Sequence, residues 1–409
     1  MELSWKKEIM GLLKNRGKKY PLGLHNAKNS CYVNSVLQCL THTPPLANYC
    51  LQRKHLSTCQ SDNKADSCPM CLLEDRIVRS LSEAEVDSEA PNAINSKLKI
   101  FADYLSPYEQ TDAQEFLDCV INACEQFEKS NNAPNTNEDS IFLNKIFQSV
   151  KRRTKSCVEC GDSSHSDEIF NNFPVYLSQP DGSFTDPGIA IDLNESFGRH
   201  FTTEYQKASS PCQNCNSVSS FSTKLSISKP PNVLLLTLQR IWVDNKCFWN
   251  SKKIFNRVPF PEFLPLTQYL ASSSPGEDYV YSLYAIIVHR GVTTSSGHYF
   301  AYVKDADNCW FKCNDDIVTP ATIQDVLQEQ RNVYMLFYIR QTDSQPNISN
   351  ASSPAIIPDS ISNTDKEVQV QVQGEDIFQA SSLPGVVPTY KRGFSQSPIP
   401  PPCSRRRPL

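Results

Sequence analysis

The order of two hydrophobic periodicities along the chain constrains its fold most. Residues 31–40 and 72–129 carry apolar side chains at helical spacing, whereas short apolar runs separated by polar and turn residues follow from about residue 141. The run 233–238 (VLLLTL) is apolar throughout and predicts a buried strand. Further strands are predicted at 281–288, 299–303 and 333–339. Helices first and strands afterwards predict an α+β fold.

The composition changes near both ends of the 409-residue chain. Residues 1–21 form a short basic lead-in, and residues 341–409 are rich in Ser, Pro and Gln. This tail lacks the periodic apolar residues that would offset the entropy of ordering. It is therefore predicted to be disordered and is open to binding regulatory partners. The segment between them, 22–340, is predicted to be the folded domain.

Charge and composition argue against two kinds of partner. The net charge of −4 provides no basic field for nucleic acid as the main partner. No run of 18 apolar residues is present, so no membrane span is expected, and the charged N-terminus does not resemble a signal peptide. The 16 cysteines are therefore expected in a reducing intracellular compartment, cytoplasm or nucleus. There, CxxC pairs indicate metal binding or catalysis rather than disulfides.

Two CxxC pairs predict a metal site. Cys157 and Cys160 lie at the turn of a predicted hairpin, and Cys212 and Cys215 repeat this arrangement further along the chain. Four thiolates close a tetrahedron, so a zinc ion there would be structural; the alternative is unused thiols. A second, irregularly spaced Cys₃His set is open either to zinc or to free surface thiols: His55, Cys59, Cys68 and Cys71.

Cys31 is the candidate nucleophile. It ends a loop rich in Asn and Gly and begins the helix predicted at 31–40. The unpaired N–H groups and the dipole at a helix N-terminus favour an anion, so a thiol there loses its proton more easily. The alternative is that Cys31 is a small buried hydrophobe, as most free cysteines are.

A nucleophilic cysteine needs a base, and the base needs a group that orients it. His298 follows a Ser/Gly loop at the start of a predicted strand, in SGHYFAYV. Pairing of that strand with WFKCNDD would bring Asn314 or Asp315 beside the imidazole. Either side chain can accept from a ring N–H and hold the imidazole in one tautomer.

These motifs occur in an order that matches a known family. GLHNAKNSCYVNSVLQ opens the series, QTDAQEF, the two CxxC pairs and LLTLQR follow, and SGHYFAYVKDADNCWFKCNDD closes it. With them the chain resembles the ubiquitin-specific protease family of deubiquitinases, papain-like cysteine proteases, over about residues 22–340. The resemblance implies thiol-dependent hydrolysis of the isopeptide bond after the C-terminal glycine of ubiquitin. It also implies ubiquitin and ubiquitinated proteins as partners.

The resemblance further implies an architecture of three parts. The helix at Cys31 and the helices within 72–129 would form a helical Thumb. The predicted strands around 233–240 and 281–339 would form an antiparallel Palm. The hairpins that carry the CxxC pairs would form zinc-ribbon-like Fingers, with catalysis between Thumb and Palm.

The matching motif positions imply roles for three catalytic residues. Cys31 is the nucleophile, His298 is the general base and then acid, and Asn314 is the third catalytic residue. An Asn is sufficient there, because Cys–His–Asn is the papain arrangement.

Three further positions are carried over in the same way. Asn26 matches the residue that stabilises the oxyanion, and Asp315 matches a second acidic residue that assists. Asp112 matches a position that holds the ubiquitin tail, while its place before a predicted helix also makes it an N-cap.

One departure from the family pattern lies in the loop before the nucleophile. Ala27 and Lys28 stand where Leu-Gly is more usual, and Gly at such a position allows a positive φ or a close approach. Lys28 would strain the loop, block the cleft, or supply positive charge beside the thiolate. Lys28 therefore keeps open a second function, a catalytically weak ubiquitin-binding or scaffold protein. A third function, a protease for another ubiquitin-like modifier, stays open because the tail-holding motif alone does not exclude it.

Overall fold

The computed structural model defines most of the chain ahead of the tail. The residues it describes are 1–7, 10, 21–26, 28–61, 67–82, 88–89, 93–131, 142–179, 183, 185–207, 209–218, 220–244, 247–271, 278–291 and 297–341. All of them belong to one compact unit, Met1–Ala351. The predicted disordered tail, apart from residue 341, and most of the predicted basic lead-in lie outside the described residues.

Helices are concentrated in the first part of the chain. They are α1 (Cys31–Thr41), α2 (Pro44–Leu51), α3 (Lys54–Thr58), α4 (Pro69–Ser82), α5 (Ala93–Ser96), α6 (Ala113–Asn131), α7 (Phe142–Phe147), α8 (Leu193–Gly198) and α9 (Ile323–Gln328).

Two short strands lie among the early helices, and strands dominate the chain from β3 onward. They are β1 (Gly23–Leu24), β2 (Ser88–Glu89), β3 (Ser149–Cys157), β4 (Ser163–Phe170), β5 (Phe173–Tyr176), β6 (Glu204–Lys207), β7 (Ser220–Lys229), β8 (Val233–Gln239), β9 (Ile241–Asp244), β10 (Cys247–Lys253), β11 (Phe263–Pro265), β12 (Val280–Arg290), β13 (His298–Lys304), β14 (Trp310–Asn314), β15 (Ile317–Ala321) and β16 (Val333–Arg340).

An eight-stranded sheet forms the centre of the unit. Its strand order is β15-β14-β13-β12-β16-β8-β5, and β11 pairs with β12 beside this path. The pairs are antiparallel apart from β5 with β8, which run parallel. The predicted strands at 233–238, 281–288, 299–303 and 333–339 all lie in this sheet.

Both faces of this sheet are covered. Along β8, Leu235 packs into one hydrophobic cluster with helices α1 to α7, whereas its neighbours Leu234 and Leu236 pack into a second cluster on the opposite face. Successive strand residues point to opposite faces. The uninterrupted apolar run of β8 therefore reflects burial on both sides, as the sequence predicts.

A separate four-stranded sheet carries the CxxC pairs. Its order is β4-β3-β7-β6, with antiparallel pairing throughout. Strand β4 is exposed along nearly its whole length, and cross-strand ion pairs such as Arg152 with Asp167 stabilise its surface. Hydrophobic packing therefore contributes little at the outer end of this sheet.

The structure corrects two local predictions. The stretch INSKLKIFADYL was expected to be helical, but only α5 and a 3₁₀ turn at Leu98–Ile100 form, and turns follow. Phe101 and Leu105 are buried there as anchors of an irregular segment. Strands were expected from residue 141, but α7 comes first, because its buried Leu143 and Ile146 repeat at helical spacing. Among the described residues, no helix is both long and apolar enough to cross a bilayer.

Candidate active site

Helix α1 presents Cys31 as its first residue, as the sequence predicts. All of its residues are buried, so the helix is fixed on every side. Polar side chains within it bond to the preceding loop: Asn34 Nδ2 donates to the carbonyl oxygen of Leu24 (3.1 Å), and Gln38 Nε2 donates to that of Leu22 (2.7 Å). The Cys31 thiol is therefore carried by a rigid helix.

His298 begins β13, and Asn314 ends the neighbouring strand β14. The antiparallel register of these strands pairs Ala301 with Cys313. It brings His298 Nε2 to 2.6 Å from Asn314 Oδ1. The strand pairing expected from the sequence thus forms, and it selects Asn314 as the nearer of the two candidate orienting residues.

The His298 imidazole is held towards its charged form. Its hydrogen bond with Cys31 raises the pKa of His298 to about 9, against desolvation, and the bond to Asn314 and the nearby Asp315 carboxylate act in the same direction. Because Nε2 faces Asn314, Nδ1 is the nitrogen left for the thiol. The thiol, the imidazole and the amide thus form a continuous chain.

Asp315 connects the two halves of the site. One carboxylate oxygen accepts from Asn26 Nδ2 (2.9 Å) and the other from Asn34 Nδ2 (2.9 Å). The same carboxylate lies 3.8 Å from His298 Nε2. Asp315 therefore binds the cysteine loop and helix α1 more closely than it binds the imidazole.

The Asn26 amide has a defined orientation beside helix α1. Its oxygen accepts from the backbone N–H of Ser30, the residue before Cys31 (3.1 Å). Its nitrogen donates one hydrogen to Asp315 and carries two. The loop before Cys31 is thereby held by a side-chain amide.

Gly23 allows the N-terminal loop to approach the turn after β14. A Cβ atom at Gly23 would collide with the backbone of Asp316, whose Cα would lie only 2.9 Å away. Leu24 N donates to Asp315 O there (2.8 Å). Close backbone contact here is a property that only glycine supplies.

The structure gives Asp112 local partners. It caps α6, because Oδ1 accepts from Gln114 N (2.8 Å), which confirms the N-cap prediction. The carboxylate also accepts from the hydroxyl groups of Tyr299 (3.2 Å) and Tyr334 (2.8 Å). Asp112 therefore joins α6 to β13 and β16 behind the site.

Lys28 adopts the backbone conformation that favours glycine. Its φ is +71°, and an L-residue there is strained. Its Nζ lies 3.6 Å from the centroid of the Tyr108 ring, a cation–π contact, and Asn29 Nδ2 donates to Tyr108 O (3.0 Å). Of the three expectations for Lys28, loop strain is the one that the backbone bears out.

A second histidine lies near the site and differs from His298. His289 stacks on Tyr299 with ring centroids 4.3 Å apart, and a Cβ on Gly297 would collide with its ring. Burial, with help from the Lys253 and His298 charges, lowers the pKa of His289 to about 4. His289 is therefore neutral near pH 7, and it packs against β13, the strand that begins at His298.

The two CxxC pairs converge at the outer end of the four-stranded sheet. Sγ of Cys157 lies 3.8 Å from that of Cys215, and Sγ of Cys160 lies 3.8 Å from that of Cys212. Each pair is followed by a residue with positive φ, Gly161 in one and Asn216 in the other. The predicted set thus forms a cluster of four thiols that could hold a metal ion.

The second predicted set also converges, but inside the helical part. The ligand atoms of His55, Cys59, Cys68 and Cys71 lie within 4.8 Å of one another, with His55 Nε2 3.1 Å from Cys68 Sγ. Three of the four are buried, so they are not surface thiols. The buried Glu74 carboxylate accepts from the backbone N–H groups of His55 (3.3 Å) and Leu56 (2.7 Å). This set too could hold a metal ion.

Sequence reasoning assigned no role to Gln110 or Asn34, which the structure places at the site. Gln110 is the first residue of the QTDAQEF motif, and Asn34 lies within GLHNAKNSCYVNSVLQ. Asn34 could have been found, because it lies three residues after Cys31 and so near it on the surface of one helix. Gln110 Nε2 lies 3.5 Å from Cys31 Sγ, a contact that follows from tertiary packing alone.

Comparison with known proteins gives consistent matches. The sequence profile of the family described as "Ubiquitin carboxyl-terminal hydrolase" matches residues 22–338. "Ubiquitin carboxyl-terminal hydrolase 25" of Arabidopsis thaliana is 36% identical over 354 residues, 83% of this chain and 50% of the relative. "Ubiquitin carboxyl-terminal hydrolase 17-like protein C" of Mus musculus is 34% identical over 327 residues, 78% of this chain and 55% of the relative. The chain thus spans about half the length of these curated relatives.

Solved structures share the fold. The SAGA Ubp8/Sgf11/Sus1/Sgf73 DUB module bound to ubiquitin aldehyde contains a chain that matches with a TM-score of 0.66 and 25% identity, over 78% of this chain and 70% of that one. The module bound to monoubiquitin matches with a TM-score of 0.65 and 25% identity, over 78% and 69%. The predicted helical, sheet and Cys-cluster architecture is confirmed by this likeness.

Proposed function

Because this chain belongs to the ubiquitin carboxyl-terminal hydrolase family, we propose that it is a thiol-dependent deubiquitinase. Its substrate is the isopeptide bond between the C-terminal glycine of ubiquitin and a lysine of a conjugated protein. The observation that carries this proposal is the chain of contacts from the Cys31 thiol through the His298 imidazole to Asn314.

The reaction begins with transfer of the Cys31 proton to His298. The thiolate then attacks the carbonyl carbon of the C-terminal glycine and forms a tetrahedral intermediate. His298 gives its proton to the leaving lysine amine as the C–N bond breaks, and a thioester remains. A water molecule, deprotonated by His298, then cleaves the thioester and regenerates the thiol.

Donors around the nucleophile support the oxyanion. Asn26 is the side-chain donor in this proposal, and its orientation by Ser30 and Asp315 supports that role. Losing one such donor costs about 10²–10³ in rate. Asn314 keeps the imidazole in the tautomer that accepts from sulfur, and Asp315 assists by fixing the amides of Asn26 and Asn34.

Asp112 contributes to binding of the ubiquitin tail in this proposal. Its carboxylate already accepts four hydrogen bonds, from the backbone N–H groups of Gln114 and Glu115 and from the hydroxyl groups of two tyrosines. A carboxylate has about four acceptor positions, so engagement of the tail would compete with one of these bonds. Binding of the ubiquitin tail would therefore replace one internal hydrogen bond of Asp112 by a hydrogen bond to the substrate.

Both Cys clusters hold structural zinc in this proposal. Zn–S bonds of about 2.3 Å in a tetrahedron place the sulfurs about 3.8 Å apart, the separation that Cys157 and Cys160 show to their partners Cys215 and Cys212. A zinc ion there would join the two CxxC turns and take no part in the reaction. The second ion would be held by His55, Cys59, Cys68 and Cys71.

The compartment follows from the same chemistry. Free thiols and thiolate ligands are typical of reducing compartments, so the proposed place of action is inside the cell, in cytoplasm or nucleus. Ubiquitin and ubiquitinated proteins are its partners, and the tail, residues 341–409, is available for regulatory partners.

A ubiquitin that carries a thiol-reactive group at its C-terminus tests this proposal. We expect one adduct, mapped by mass spectrometry to Cys31, and none on the Cys31→Ala variant. Cys309→Ser is the matched control, because Cys309 is an exposed thiol in the same domain. The control should label at the wild-type rate. Failure of the folded, zinc-loaded protein to label would contradict the proposal.

One observation favours a second candidate function, a catalytically weak ubiquitin-binding or scaffold protein. Lys28 occupies a strained conformation and contacts Tyr108 beside the nucleophile. Ubiquitin binding without turnover, unrepaired in Lys28→Gly, would support this candidate. A panel of reactive ubiquitin-like modifiers, compared in the same labelling assay, tests whether the modifier is ubiquitin.

A further inference from the structure

The side chain of Gln110 lies between the nucleophile and the residue that precedes the base. Its Nε2 is 3.5 Å from Cys31 Sγ and donates to the carbonyl oxygen of Gly297 at 2.8 Å. Gln110 stands 79 residues after Cys31 and 187 residues before Gly297 in the chain. It belongs neither to the cysteine helix nor to the histidine strand, yet it contacts both sides of the cleft.

Neighbouring contacts fix the segment that carries Gln110. Two residues before it, Tyr108 contacts Lys28 and accepts from Asn29. Two residues after it, Asp112 caps α6 and accepts from the hydroxyl group of Tyr334. The backbone of Gln110 is therefore held on both sides, so its amide is pre-organised rather than placed by chance.

The contact with Gly297 determines which end of the amide faces sulfur. A carbonyl oxygen can only accept, so the atom of Gln110 that meets Gly297 O is the NH₂ nitrogen. That nitrogen carries two hydrogens, and the second is available to the sulfur. A donor in this position stabilises a thiolate more than a thiol, because hydrogen bonds to charged acceptors are the stronger ones.

We propose that Gln110 is a further catalytic residue, whose amide stabilises the Cys31 thiolate and at the same time holds Gly297, and thereby the His298 strand, in register with it. The first half of this statement concerns the free enzyme. Its consequence for turnover rests on the deubiquitinase function proposed above.

A merely structural role makes a different prediction. If Gln110 only tethers Gly297, its loss would reduce turnover but leave the ionisation of the thiol to other groups. If it also donates to sulfur, its loss makes the thiolate form at higher pH. The pH profile of the thiol therefore separates the two roles.

The test is the rate of alkylation of Cys31 by iodoacetamide against pH, followed by mass spectrometry on the full chain. We expect the midpoint of the profile to rise by about one pH unit in Gln110→Ala, which corresponds to one lost charge-assisted hydrogen bond. It should rise further in Gln110→Glu, because a carboxylate then faces the thiolate.

Gln114→Ala is the matched control. Gln114 lies four residues further on, and its amide donates to Asp118. Its midpoint should equal that of the wild type. Melting temperatures within a few degrees of the wild type establish that all three variants are folded.

A second pair of variants separates a direct from an indirect effect. The comparison is repeated in a His298→Ala background, where displacement of the base can no longer alter the thiol. A shift that persists there supports direct donation to sulfur, whereas a shift that vanishes overturns it. An unchanged midpoint in both Gln110 variants would overturn the proposal outright.

This assay needs no ubiquitin, so its outcome is independent of the proposed function. Turnover of a ubiquitin conjugate by Gln110→Ala should fall about tenfold. A shifted midpoint in a protein that never turns over ubiquitin would retain the role of Gln110 and discard the deubiquitinase. Turnover of ubiquitin by the wild type, together with an unshifted midpoint in the variants, would retain the deubiquitinase function and discard the role of Gln110.

Discussion

Among the residues that the structure describes, a cysteine faces a histidine in two places, and the two places differ in what surrounds the pair. At the candidate active site, the Cys31 thiol raises the pKa of His298, whose Nε2 faces the Asn314 amide, and the His298 side chain is 42% exposed. In the helical part, His55 Nε2 lies 3.1 Å from Cys68 Sγ, and His55 is only 8% exposed. Two further thiols, those of Cys59 and Cys71, converge on the second pair.

The difference shows how one pair of residue types serves two chemistries. One thiol and one imidazole beside an amide cannot complete a tetrahedron, so a thiolate there stays free to attack, as the proposed function requires. Three thiols and an imidazole complete it and leave no reactive position. Ligand count and access, rather than residue identity, separate the proposed nucleophile from the proposed structural cluster.

The largest expected effect lies at the active-site pair. Cys31→Ala should reduce turnover of ubiquitin conjugates by about 10⁴–10⁶-fold, because the remaining groups have no nucleophile to activate. Bound zinc and the melting temperature should stay near those of the wild type. Turnover, metal content and thermal unfolding of one preparation check this. Loss of zinc in this variant would contradict the separation of the two pairs.

The helical cluster should respond in the opposite way. Cys68→Ser removes one ligand from a buried set, so we expect the loss of one zinc equivalent and about 4 kcal/mol of unfolding free energy. Metal analysis and chemical denaturation measure both. Cys212→Ser is the comparison variant, at the outer end of the four-stranded sheet. There the loss of zinc should loosen the two CxxC turns and lower the unfolding free energy less than Cys68→Ser does. Equal losses would show that the two clusters are equivalent.

The orienting residue of the active-site pair should have a smaller effect. Asn314→Ala should lower turnover about 10²-fold, because the imidazole loses its fixed tautomer. Since the bond to Asn314 helps raise the pKa of His298 to about 9, its removal should lower that pKa. His298 then loses its proton at a lower pH. The alkaline limb of the profile of turnover against pH should therefore move from about pH 9 to lower pH. A limb that stays in place would contradict this account.

Glu74 supports the cluster of His55, Cys59, Cys68 and Cys71, as Asn314 supports the active-site pair. Glu74→Gln replaces one carboxylate oxygen by a donor that faces the N–H of His55 or Leu56, so we expect a loss of about 2 kcal/mol of unfolding free energy. Glu74→Ala should lose at least as much, and turnover measured at equal folded fraction should remain that of the wild type. A specific loss of turnover would show that the helical cluster is coupled to the chemistry.

The smallest effect is expected in the loop before the nucleophile. Lys28→Gly removes the strain of a positive φ but also a cation–π contact and some rigidity of the unfolded chain. These contributions are each about 1 kcal/mol and oppose one another, so the unfolding free energy should change by less than about 1 kcal/mol. Tyr108→Leu is the matched variant, because it removes the aromatic ring and leaves the φ of Lys28 in place. A stability change of several kcal/mol in either variant would refute this balance.

The sequence predicted the elements that depend on local pattern. Helix α1 and strand β8 follow from periodicity, and the approach of Asn314 to His298 follows from two adjacent strands. The helical prediction for 94–105 was wrong beyond α5 and one 3₁₀ turn, because its buried Phe101 and Leu105 anchor an irregular segment that leads to Tyr108 and Gln110. The contact of Gln110 with Cys31 depends on packing between segments that are distant in sequence, and periodicity carries no information about it.

The span of the Asp315 contact has a consequence for synthesis of the protein. Asp315 bonds to Asn26 across 289 residues of chain. A nascent chain that has passed Cys31 but not residue 298 carries the thiol without its base, its orienting amide or the carboxylate that fixes its loop. Under the proposed function, hydrolytic competence would therefore arise only after β13 and β14 have been translated, and a prematurely terminated product would be an inactive fragment rather than an unregulated protease.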